Sequence, residues 1–79
     1  MKPSEIIRER GWCQGVSTDI HGRHCLWGAV QEATQRDIPT ADKILAQLRE
    51  AVGSNPIIWN DRRGRTADEV IAVLESVGL

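Results

Sequence analysis

Four side chains able to ligate a metal or attack a carbonyl fall within residues 13–25: Cys13, His21, His24 and Cys25. Two thiolates and two imidazoles form a ligand set that zinc accepts. The spacing is C-x7-H-x2-H-C, without the C-x2-C knuckle of strong zinc motifs. The abutting His24 and Cys25 would have to fold back on one ion. The plainer reading is two surface histidines and two unrelated thiols. No cofactor motif stands elsewhere in the chain, and no cofactor is expected.

The same residues admit covalent chemistry. Cys25 stands near the start of an expected helix, where the dipole can lower a thiol's pKa. His21 or His24 would act as base, and Asn60-Asp61 would supply an orienting group for acyl transfer. Neighbouring helical residues point about 100° apart, so His24 is poorly placed to serve Cys25. The competing reading makes Cys25 a small apolar residue packed beside Gly28 and Ala29. Asn60 and Asp61 would then hold a turn by bonding nearby backbone.

Arg62, Arg63 and Arg65 place three guanidinium groups in one short segment, where they could grip phosphates. Arg23, Arg8 and Arg10 could extend such a patch. Ten basic and eleven acidic residues give a net charge of -1, so no global charge points to nucleic acid or to a membrane surface. The alternative is a solvated turn whose arginines pair with Asp61, Asp68 and Glu69.

The elements that must position these groups are mostly helical. Residues 4–10, 24–35, 41–52 and 67–77 carry apolar positions at helical spacing. Ser4 and Thr40 read as N-caps, and Thr66 with Glu69 fits a capping box. Gly53 stands where a left-handed stop belongs. Pro39 is expected to force Ile38 out of helical conformation. Gly28 lies inside the second helix, which implies close approach of a neighbouring helix or indole ring. The repeated opening Thr-Ala-Asp of the last two helices reads as shared capping chemistry rather than duplication.

Two connections remain. Residues 11–23 hold three glycines and a Ser-Thr-Asp run, which predicts an ordered loop of a length that is often functional. Residues 53–65 contain the turn signal Asn55-Pro56 and a short extended segment, Ile57-Ile58-Trp59. Trp12, Trp27 and Trp59 are the only Phe, Tyr or Trp residues and are expected to fill the core. The expected fold is all-α: one domain over residues 1–79, about four short helices and two long ordered connections.

A 79-residue chain buries only about 60–65% of its unfolded surface, so a homodimer would relieve a marginal core. No apolar run approaches the roughly 20 residues of a membrane span. Met1-Lys2-Pro3-Ser4-Glu5 lacks the apolar stretch of a signal peptide. Two cysteines in a reducing compartment are expected as free thiols. A cytoplasmic setting follows as the expectation.

Gly11-Trp12, Gln14-Gly15, Gly22, Cys25, Gly28-Ala29, Trp59-Asn60-Asp61 and Arg65-Thr66 carry a resemblance. Over roughly residues 5–77 the chain resembles a family of small uncharacterised proteins of actinobacteria and their phages. That family is a domain of unknown function. The resemblance implies a source class and a cytoplasmic setting, and it transfers no catalytic residue and no substrate. The leading functional expectation is a non-enzymatic interaction or accessory protein acting on a protein partner, of the host if the chain is phage-encoded. A cysteine-dependent enzyme built on Cys25 and a nearby histidine is one alternative. Nucleic-acid binding through Arg62–Arg65 is the other.

Overall fold

The computed structural model describes residues 1–79 as an all-α fold of five helices: α1 (Pro3–Arg10), α2 (Leu26–Ala33), α3 (Ile38–Val52), α4 (Pro56–Asp61) and α5 (Ala67–Ser76). No helix is long and apolar enough to cross a membrane. Helix α1 packs on α2 and α5, α2 also meets α3 and α4, and α3 closes the bundle against α4 and α5.

The fifth helix is α4, where an extended segment was expected. Asn55 caps it, its Oδ1 accepting from the Ile57 and Ile58 amides at 2.9 and 3.3 Å. Pro56 then fills the first helical position, where its missing N–H costs nothing. Helix α3 also starts earlier than expected. Asp37 caps it by accepting from Thr40 N, and Ile38 and Pro39 lie inside the first turn. The bias that proline imposes on its predecessor is overridden by this cap. Position Lys2, not Ser4, caps α1, and Ser4 turns inward to donate its hydroxyl and amide to the Leu79 carbonyl at 2.8 and 3.0 Å.

Other endings follow the sequence. Gly53 is left-handed at φ 75°, and its amide donates to Arg49 O. Thr66 Oγ1 accepts from Glu69 N at 3.2 Å while Glu69 Oε1 accepts from Thr66 N at 3.0 Å, closing the expected capping box.

The core is aliphatic: Ile6, Ile7, Leu26, Ala29, Val30, Ala41, Leu48, Val70, Ile71 and Leu74. The three tryptophans are half-buried and pack around it, which corrects their expected place at its centre. An indole carries a polar N–H, and at the margin of the core each ring can bury its body without stranding that group.

Candidate functional site

The irregular segment between α1 and α2 contains no strand, only two single β-bridges that pair His24 with Trp12 and with Thr18. Three backbone bonds close it. His24 N donates to Gly11 O and Cys13 N to His24 O, both at 3.1 Å, and Cys25 N donates to Ser17 O at 3.0 Å. Asp19 organises the tip, accepting from His21 N, Arg23 N and Arg23 Nε at 2.6–3.0 Å. Burial pushes the Asp19 carboxyl up, but the bonds from Arg23 and His21 outweigh it and hold the group below the usual range.

Asn60 joins this loop to α4. Its side chain is fully buried, at 0% exposure, and each of its hydrogen-bonding positions is used. Oδ1 accepts from Trp12 Nε1 at 2.7 Å and from Leu26 N at 3.0 Å. Nδ2 donates to Cys13 O at 3.3 Å and to Asp61 Oδ1 at 2.9 Å. Gln14 Nε2 donates to the carbonyls of Asn60 and Arg62, and Gly15 N donates to Asp61 Oδ1. The Asn60-Asp61 step is therefore no local turn: it bonds across 46–48 residues of sequence.

Cys25 is the N-cap of α2. It is 4% exposed, and its Sγ accepts from Gly28 N at 3.3 Å. Asn60 supplies the second cap by taking the Leu26 amide. Two of the donors that open α2 are thus satisfied by a thiol and by a carboxamide from another helix. Burial pushes the Cys25 thiol up, against the lowering effect of the Gly28 and Trp27 amides, and the Asp61 charge acts in the same upward direction. Burial, then the Asp19 charge, also raises Cys13.

Gly28 meets the loop's backbone rather than a helix or an indole. A Cβ built there would stand 2.0 Å from Ser17 O and 3.3 Å from His24 Nδ1. Only glycine lets α2 come this close to the Cys25–Ser17 bond.

Cys13, His24 and Cys25 are neighbours through the backbone, but the side chains of the four candidates do not converge on one point. Cys13 is buried, its Sγ donating to Arg23 O at 3.3 Å. His24 is buried with Nδ1 2.8 Å from Thr18 Oγ1, while His21 is exposed. No hydrogen bond joins Cys25 to either histidine. No group of three or more His, Cys, Asp or Glu side chains comes together as an ion would require.

The arginines also part company. The Arg65 guanidinium sits over the Trp59 ring, its Cζ 3.8 Å from the centroid, and donates Nε to Trp59 O and Nη1 to Glu69. Arg62 and Arg63 are exposed and lack the expected pairing with Asp61 or Asp68.

Between the loop and α4 lies a cleft of about 250 Å³, lined by Gly15, Val16, Ser17, Cys25, Trp27, Ile57 and Asp61. Sequence reasoning missed this grouping, because Val16, Trp27 and Ile57 look like ordinary core positions until the loop folds over α4. The same two segments carry exposed apolar side chains: Val16 in the cleft wall at 53% exposure, and outside the cleft lining Ile20 at 95% and Ile58 at 67%. What the arrangement offers chemically is an apolar recess with one carboxylate, on a scaffold fixed by Asn60.

Neither the curated proteins nor the solved structures contain a match to this chain. A family model covers residues 3–78, nearly the whole of the fold and every residue of the Asn60 network, and so the chain belongs to the family of unknown function DUF6197.

Proposed function

We propose that the chain is a non-enzymatic protein-binding module whose recognition face is formed by the Gly11–Cys25 loop and α4. The observation that carries this reading is the Asn60 clamp. A fully buried asparagine fixes an irregular loop against a short helix, and the joined segments leave Ile20, Ile58 and Val16 in water. Exposed isoleucines cost solubility, and fixing them in one geometry lowers the entropy lost when a partner covers them. The resemblance to actinobacterial and actinophage sequences makes a cytoplasmic bacterial protein the partner to look for.

The test compares the wild-type chain with Ile20→Asp/Ile58→Asp as bait in an actinobacterial lysate, with Ala46→Asp on α3 as control. A protein retained by wild type and by the control but lost with the double variant is the expected result. Equal recovery on all three baits would remove this face from consideration.

A second reading has one observation in its favour: Cys25 lines the cleft and could meet a small electrophile. Its raised pKa works against nucleophilic use. Iodoacetamide labelling of the native protein separates the two, since a catalytic thiol would outpace a free thiol peptide.

A further inference from the structure

We propose that the cleft between the Gly15–Ser17 turn and α4 receives a lysine or arginine side chain of the protein partner. Asp61 would be its counter-ion, and Val16, Trp27 and Ile57 would hold its aliphatic stem. The proposal rests on the binding-module reading and specifies the chemistry of one point on that face.

Asp61 Oδ1 accepts from Asn60 Nδ2 at 2.9 Å and from Gly15 N at 3.0 Å, so the carboxylate is aimed rather than free to rotate. No cation within the chain pairs with it. Its neighbours in the cleft are mostly apolar: two aliphatic side chains, an indole and a buried thiol, with Gly15 and Ser17 completing the lining. A fixed, exposed carboxylate in the wall of a mostly apolar recess matches a side chain with a hydrocarbon stem and a cationic tip. The Trp27 indole adds a face on which a cation is attracted. About 250 Å³ is room for one long side chain and falls short of the roughly 300–1,000 Å³ of sites for drug-sized ligands.

The Asp61 charge is felt inside the cleft: burial first, and then that negative charge, push up the Cys25 thiol in its lining. Arg62 and Arg63 follow Asp61 directly in sequence but do not line the recess. An acidic segment would have to use those two arginines from outside, forgoing the apolar walls.

Three blocked tripeptides decide the matter: acetyl-Gly-Lys-Gly-amide, its norleucine analogue and its glutamate analogue. Each is titrated into uniformly ¹⁵N-labelled protein, following the amides of Gly15, Val16 and Ser17 and the Trp27 indole. The lysine peptide is expected to give saturable shifts confined to these residues. Norleucine should bind roughly fivefold more weakly or worse, the range set by an exposed ion pair with an added cation–π contact. Asp61→Asn should remove that preference while the rest of its spectrum stays native. The norleucine comparison needs no variant, so it stands even if Asp61→Asn fails to fold. Equal affinity for lysine and norleucine, preference for glutamate, or shifts scattered elsewhere would each overturn the proposal. If the peptides fail yet Ile20→Asp/Ile58→Asp still abolishes partner capture, the module reading survives and only the lysine site falls.

Discussion

Trp12 Nε1 donates to Asn60 Oδ1 at 2.7 Å, joining side chains 48 residues apart. The same oxygen takes the first amide of α2, so one carboxamide organises loop, helix start and indole together. Replacing Asn60 by Ala leaves the Leu26 amide and the Cys13 carbonyl buried without partners and the half-buried Trp12 N–H unpaired. An unsatisfied buried donor costs about 1–3 kcal/mol, so the loss should reach about 3 kcal/mol or more. Trp12→Phe should cost less, about 1–2 kcal/mol. Urea unfolding of both single variants and the double variant measures the coupling. Simple additivity would show that the bond contributes nothing of its own.

Gly28→Ala tests the close approach of α2 to the loop. In an exposed helix this change is worth about 0.5–1 kcal/mol in favour of alanine. Here a Cβ would meet Ser17 O at 2.0 Å, a backbone atom already bonded to Cys25 N. Overpacking of this kind costs about 1–3 kcal/mol, so the sign reverses. Thermal unfolding should show a lower Tm for Gly28→Ala, and a rise would mean the loop does not sit on α2.

Cys25 should resist alkylation in the native state, because burial and the Asp61 charge disfavour its thiolate. Its folded pKa lies above the ordinary 9.0, so between those values the folded state holds a proton the unfolded chain has lost. Stability therefore falls as pH rises above about 9. Cys13 acts in the same direction. Slow iodoacetamide incorporation that speeds up in step with unfolding in urea is the expected pattern.

Acid should destabilise the fold in the opposite window. Arg65 and Thr66 hold Glu69 low, Arg10 holds Glu32 low, and Asp19 is lowered despite its burial. A carboxyl depressed in the folded state contributes stability that is complete above its unfolded pKa and lost as pH falls through the folded value. The ordinary values are 4.5 for the two glutamates and 3.8 for Asp19. Tm should hold steady down to near pH 5 and then decline. Glu69→Gln should flatten part of that decline.

Arg65 should not be replaceable by lysine. Its guanidinium stacks on Trp59 at 3.8 Å while donating to Trp59 O and Glu69. Lysine cannot present a flat donor fork in that position. A stacked, partly desolvated cation is worth about 0.5–2 kcal/mol, and Arg65→Lys should lose much of it in denaturant unfolding. Nucleic-acid affinity that survives Arg62→Ala/Arg63→Ala would rule out the arginine segment as a phosphate site.

Local sequence chemistry determined which segments became helices. The apolar spacing of residues 41–52 and 67–77, the Thr66–Glu69 box and the Gly53 stop act within a few residues of themselves, so they are legible without a fold. The all-α class follows from them. Where local signals competed, the outcome needed more: Asn55 and Asp37 caps outweighed the turn signal at Asn55-Pro56 and the bias before Pro39. Cys25 caps α2 through the Gly28 amide three residues on, but only the tertiary structure decided what Asn60 and Gly28 do. Their partners, Trp12, Leu26 and Ser17 O, lie up to 48 residues away or belong to a loop with no periodicity. A side chain's type states what it can bond, but burial decides that it must, and which donors reach it is set when α4 closes over the loop.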